Sequence, residues 1–486
     1  MNARQAVRAV VAASAVVLAA GELLAQADRS RPPKPGPVRP LVFPAVERLS
    51  LSSGLPVLLV PMHEVPVVEV ALVVRAGATA DPAGQEGLAA MTADVLDEGA
   101  GGRDALALSD AVDFLGARLD TSAGWDASTV RLRVPVARLR EALPLMADVA
   151  LRPDFPEKDL ERLRKEALTD LLQARDEPGR IASRALAEAV FGRGHRYGRP
   201  RTGDAASIAS FTVAQLRAFH SARYTPDRST LVVVGDVTAA VLSELEGAFG
   251  AWARPAAVVP LPVVAPPAQL EGRTVWLVDK PGAAQSALRL GRVGPSWGAP
   301  GYPAAEVMNT LLGGSFTSRL NDNLREQHGY AYGADSGFQR FRVGGLFVAA
   351  SDVQTDKTAP AVTELLKELS RIRTPATPEE VERARSYAAL GYAGEFETTA
   401  LVAGHMIEKV VYDLPGGFFE EFVPKALAVD GAALQKAAAA AVDPARTAIV
   451  VVGDRSKVEA PLAGLGLGPI RTITVEAVMG PAPKVE

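Results

Sequence analysis

The sequence predicts an α+β protein of two homologous halves, each a mostly antiparallel sheet covered by helices. Three observations predict it. At 486 residues the chain exceeds what one hydrophobic core supports. An apolar strand ending in Gly-Asp occurs twice, as Thr230-Leu231-Val232-Val233-Val234-Gly235-Asp236 and as Thr447-Ala448-Ile449-Val450-Val451-Val452-Gly453-Asp454, each near the end of its half. Between the halves runs a proline-rich stretch, 252–272, with Pro255, Pro260, Pro262, Pro266 and Pro267, a linker that divides residues 41–251 from 273–486.

The elements follow in chain order. Residues 1–27 read as a secretory signal peptide: Arg4 and Arg8 form a positive start, 7–20 is an apolar run, and Ala25-Gln26-Ala27 is a small-x-small site that places cleavage after Ala27. The apolar run falls short of the roughly 20 residues a membrane span needs, so a periplasmic or secreted protein with no membrane span is expected. Arg4 and Arg8 are not adjacent, which argues against a twin-arginine signal. Residues 28–40 are rich in Arg and Pro without apolar periodicity and read as an extended leader. A strand pair at 51–59 and 67–74 then leads into a helix from about residue 85. Helices at 103–115, 137–150, 157–175 and 181–190 carry apolar residues three and four apart, and 130–134 alternates with Arg131 and Arg133 as a strand. The second half repeats the opening, with strands at 275–278 and 286–290 before a helix from about residue 302. There follow a helix over 318–328 ended by Gly329, strands at 330–337 and 345–351 with a hairpin turn at Gly344, and a helix over 358–372.

Composition excludes several classes of chemistry. The chain has no cysteine, so disulfides, thiolate metal sites and cysteine nucleophiles are excluded. The formal net charge is −4, and losing Arg4, Arg8 and Glu22 with the signal makes the mature chain slightly more acidic, unsuited to phosphate backbones. No nucleic-acid partner is expected. The five histidines, His63, His195, His220, His328 and His405, are scattered singly, with no pair at the spacing of a helical metal site.

Several segments together carry a family resemblance: Leu51-Ser52-Ser53-Gly54-Leu55-Pro56-Val57, Gly87-Leu88-Ala89, Tyr224-Thr225-Pro226 leading to the Gly235-Asp236 strand, and Leu311-Leu312-Gly313-Gly314-Ser315 followed by Phe316-Thr317-Ser318-Arg319-Leu320. Over nearly the whole mature chain the sequence resembles the pitrilysin/insulinase family of metallopeptidases, in its bacterial, mitochondrial-processing-peptidase-like branch. The resemblance implies a metallohydrolase-like clam-shell and an inverted zinc motif, His-x-x-Glu-His, starting at position 90. In that register the two histidine positions hold Ala90 and Asp94, and the general-base position holds Ala93. Anchored on Asp176-Glu177-Pro178, the third ligand position holds Asp170. Two carboxylates suit weak Mg²⁺ or Ca²⁺ binding, while tight zinc binding wants three protein ligands including nitrogen or sulfur. No metal and no cofactor is therefore expected in this chain.

The second half keeps a different motif. Leu324-Arg325-Glu326-Gln327-His328-Gly329-Tyr330-Ala331-Tyr332 matches the family's Arg/Tyr motif, which implies that Arg325 and Tyr332 reach toward a scissile carbonyl and its oxyanion. Read from residue type alone, Arg325 better suits the last turn of a helix and Tyr332 a strand position; the full motif favours the site. Tyr330 shares a strand face with Tyr332 by period-two alternation. The family also contains heterodimers in which one subunit carries the zinc motif and the other the Arg/Tyr pair. The resemblance thus implies an exported, pseudoenzyme-like subunit, inactive alone, whose zinc-bearing paralogous partner holds the metal and binds peptide as an added strand. Two rival readings are a catalytically dead scaffold of the same fold, and a self-sufficient metallopeptidase using Asp94 and Asp170.

Overall fold

The computed structural model describes residues 42–484. The expected signal peptide, its cleavage after Ala27 and the leader lie outside the described residues.

Six strands of the first half, β1 (Glu47–Ser50), β2 (Pro56–Pro61), β3 (Val67–Val74), β4 (Arg118–Ala123), β5 (Ser128–Pro135) and β6 (Ser229–Gly235), form one sheet in the order β1-β2-β6-β3-β5-β4. Six of the second half, β7 (Thr274–Asp279), β8 (Gln285–Gly294), β9 (Ala331–Phe341), β10 (Gly344–Gln354), β11 (Ala448–Gly453) and β12 (Ile470–Thr474), form another in the order β9-β10-β8-β11-β7-β12. Read from opposite ends, the two orders superpose strand for strand from β2 onward. The repeated Gly-Asp strands, β6 and β11, hold the same place: β6 runs parallel to β2 and antiparallel to β3, and β11 parallel to β7 and antiparallel to β8.

Two expectations about pairing are corrected here. The strands at 51–59 and 67–74 are not hydrogen-bonded neighbours, because β6 lies between β2 and β3. A strand that closes each half arrives from more than 150 residues away, and local periodicity carries no trace of it. The first of these strands also starts late: the Leu51 N–H bonds the Leu55 carbonyl at 3.0 Å in a turn, and the strand begins at Pro56.

β3 and β6 are buried on both faces. Val68, Val70, Leu72 and Val74 pack into the first half's helical core with Leu88, Leu143, Met146 and Leu216. The helix Thr399–Val411, contributed by the second half, also packs against β3 and β6. The reciprocal arrangement holds across the linker. The first-half helix Pro178–Phe191 places Ile181, Ala185, Leu186 and Val190 against Trp276, Val278, Val450 and Val452 of the second sheet. Each buried Ile, Leu or Val among them contributes about 1.5–3 kcal/mol, so this exchange ties the halves together. Among the described residues no helix is long and apolar enough to cross a membrane.

Candidate functional site

Helix α1 (Leu88–Val95) carries the first set of candidate positions. Gly87 caps it with φ +96°, and a Cβ there would lie 2.4 Å from the Thr202 carbonyl oxygen, so only glycine fits. The fully buried Asp81 carboxylate accepts from the Gly87 and Ala89 N–H groups, both at 2.8 Å, and from Arg196 Nη2 at 2.9 Å. Burial pushes this carboxyl up to about 6, against the pull of Arg196 and the two amides. The helix frame is thus firmly built. It presents no ligand: Ala93 belongs to the hydrophobic core and Ala90 is buried, and the Ala93 carbonyl accepts from Thr121 Oγ1 on β4 at 2.8 Å. Asp94 is exposed to solvent on one side and crowded by protein on the other. That desolvation first, then repulsion from Asp97, raises its carboxyl to about 6.

Asp170 lies on α2 (Glu157–Ala174) and is exposed. Arg180, just past the turn in α3 (Pro178–Phe191), grips it bidentately, Nη1 to Oδ1 at 2.9 Å and Nη2 to Oδ2 at 2.6 Å. The guanidinium holds the Asp170 carboxyl below the usual carboxylate range. With two methyl groups and a carboxylate already committed to an arginine, these positions do not fit a zinc ion. Among the described residues no group of three His, Cys, Asp or Glu side chains converges.

The second set of positions is built differently. Ser318 Oγ caps the N-terminus of the helical segment that begins at Arg319, and over Asp322–Gln327 the backbone is wound as a π-helix, where the sequence suggests a regular helix. The His328 N–H reaches back five residues to the Asn323 carbonyl at 3.1 Å. Within this turn the buried Asn323 is tied to Glu364 and Glu368, a long-range contact that a local pattern does not reveal. Gly329, at φ +62°, ends the segment as expected, with its N–H on the Arg325 carbonyl and the Tyr330 N–H on that of Leu324. Arg325 and Tyr332 are brought together: Cζ of Arg325 lies 5.4 Å from the Tyr332 ring centroid.

The ladder between β9 and β10 breaks between Ala331 and Ala334, and this irregularity turns Tyr332 outward to 91% exposure. It also removes the alternation that groups Tyr330 with Tyr332; Tyr330 precedes the strand and stacks on His328 at 4.8 Å. A guanidinium and a phenol, both hydrogen-bond donors, thus stand side by side at the surface, suited to a carbonyl oxygen that gains negative charge.

Residues 57–204 match the family model described as insulinase (peptidase family M16), and residues 210–387 match that of the peptidase M16 inactive domain. The chain belongs to the insulinase family, M16. Curated relatives agree. An uncharacterized zinc protease of Mycobacterium tuberculosis is 29% identical over 323 residues, 64% of this chain and 71% of that protein. One of Bacillus subtilis is 23% identical over 343 residues, covering 70% and 82%. Among solved structures, a peptidase M16 inactive domain from Pseudomonas fluorescens superposes with a TM-score of 0.78 at 27% identity, covering 84% of this chain and 98% of that one. A protease from Helicobacter pylori shares the fold, with a TM-score of 0.75 at 20% identity and coverage of 85% and 100%.

Within the M16 frame the positions 90, 93, 94 and 170 fall in the first matched segment, and Arg325 and Tyr332 in the second. Two side chains beside them went unread in the sequence. Arg180 stands ten residues from Asp170 across a helix–turn–helix, a separation without periodic signature. Phe316 follows the Gly313-Gly314 turn and is 63% exposed, with its ring centroid 4.4 Å from Arg325 Cζ. In the sequence Phe316 stands only within the family-like segment after Gly313-Gly314-Ser315, with no role attached to it.

Proposed function

We propose that this M16 chain is the exported, non-zinc subunit of a heterodimeric peptidase, inactive alone, whose Arg325 and Tyr332 donate hydrogen bonds to the carbonyl of a peptide held by a zinc-bearing paralogous partner. One observation carries the reading: the second half keeps an adjacent pair of donors, a half-buried Arg325 and an exposed Tyr332, while the first half has core methyl groups at 90 and 93 and an arginine-bound carboxylate at 170. The hydrolytic chemistry belongs to the partner. What this chain adds is charge stabilisation at the oxygen, fixed before the substrate arrives.

The test is co-expression of the mature chain with a sibling that has an intact His-x-x-Glu-His, followed by co-purification and a peptide-cleavage assay. A stable pair that cleaves peptide, when neither chain does so alone, supports the reading. A stable pair whose turnover does not change when Arg325 is replaced would instead make the chain a scaffold. Export is tested by sequencing the N-terminus of the protein recovered outside the cytoplasm, which should begin at Asp28.

A further inference from the structure

The Arg325 guanidinium has to be held in one orientation to serve a carbonyl, yet among the described residues it donates no hydrogen bond to protein, and its ion pair is with the neighbouring Glu326, at 3.4 Å from Nε. Its side chain is 31% exposed. What flanks it is aromatic: Phe316 at 4.4 Å and Tyr332 at 5.4 Å from Cζ to the ring centroids. A ring face attracts the guanidinium without occupying any of its N–H donors, so it orients the group while leaving those donors available to a ligand.

The Phe316 ring is itself held out on purpose-built backbone. Asn321 Nδ2 donates to the Phe316 carbonyl at 3.2 Å, while its Oδ1 accepts from the Ala334 N–H at 3.0 Å, at the point where the β9–β10 ladder resumes. Ser315 Oγ donates to the Thr310 carbonyl at 3.1 Å on the other side. One asparagine therefore fixes the loop that carries Phe316 to the strand that carries Tyr332. A ring left 63% exposed on a loop so fastened does little for the core.

We infer that Phe316 is a positioning residue of the Arg325–Tyr332 site, which clamps the guanidinium through its ring face and acts only through Arg325. The inference rests on the function proposed above for its kinetic consequence, but not for the clamp itself. Two measurements separate them.

In the isolated mature chain labelled with ¹⁵N-arginine, the Arg325 side-chain NMR signals should carry a ring-current shift and restricted motion. Both should fall markedly in Phe316→Ala and Phe316→Leu, to what the Tyr332 ring alone sustains, and be kept in Phe316→Tyr; an unchanged Arg325 signal in Phe316→Ala overturns the clamp. In the reconstituted pair, Phe316→Ala and Phe316→Leu should lower kcat about fivefold with KM little changed, the size of a cation–π contact, and Phe316→Tyr should restore it. With Arg325→Ala already present, Phe316→Ala should cost nothing more. A further loss in that background, or a fall confined to KM, overturns the assignment of action through Arg325. A pair indifferent to Arg325→Ala instead removes the proposed function, while the NMR result still decides the clamp.

Discussion

In the first half, Asp170 gives both carboxylate oxygens to Arg180 at the surface; in the second, Glu380 gives both to Arg319 in a nearly buried pair at 2.9 and 2.7 Å. The geometry is alike and the consequence is opposite. The exposed pair holds little energy and takes a carboxylate out of use. The buried pair fastens the start of the segment that carries Arg325 to the helix Pro378–Gly391, whose N-terminus Glu380 also caps through the Thr377 N–H at 3.0 Å. One half has turned its charges inward on themselves; the other spends them on a frame that leaves two donors exposed.

Breaking the buried pair should have the largest effect. Glu380→Gln leaves the Arg319 cation without its counter-charge and should lower unfolding stability by about 3–5 kcal/mol, measured by chemical denaturation. Hydrogen bonds from Arg319 bring the Glu380 carboxyl down to about 2 from its ordinary 4.5. A lowered folded-state value means that the pair stabilises fully above pH 4.5 and that this stability is lost as pH falls toward 2. The wild-type chain should show that acid loss and the variant should not; a variant as stable as wild type would remove the contrast between the two pairs.

Next in size is Arg325→Ala in the reconstituted complex, which should lower kcat/KM on the order of a hundredfold while co-purification with the partner is unchanged. Asp94→Asn should act in the other direction. The Asp94 carboxyl is raised to about 6 from 3.8, so its ionisation disfavours the folded state, with the penalty absent below pH 4 and complete above pH 6. The variant should gain up to about 1 kcal/mol at pH 7, reduced by the access of water, and nothing at pH 3.5; a gain independent of pH would contradict the assignment. The smallest effect belongs to Arg180→Ala, less than about 1 kcal/mol, with no zinc acquired after dialysis against the metal. Tight zinc uptake by that variant would show that Arg180 alone excludes the ion, against the fit of Ala90 and Ala93.

The strand order was half legible. The repeated Gly-Asp strands announced the duplication because an apolar run with a fixed ending is a local pattern, but their insertion between β2 and β3, and between β7 and β8, depends on contacts distant in sequence. For the same reason the exchanged helices, Pro178–Phe191 and Thr399–Val411, gave no sign of the sheet each one covers. At the candidate site, the family resemblance singled out Ala90, Ala93, Asp94, Asp170, Arg325 and Tyr332. It did not reveal the parts of Arg180 and Phe316, which come from a turn and a loop, nor the π-wound turn, whose five-residue bonding no residue type announces.

The most direct measurement of the central claim is the metal stoichiometry of the purified mature chain, determined by elemental analysis after exposure to zinc and removal of loosely held ions. Far less than one zinc per chain is expected. One tightly retained zinc per chain would contradict it, because the first half would then hold the metal that is assigned here to a partner.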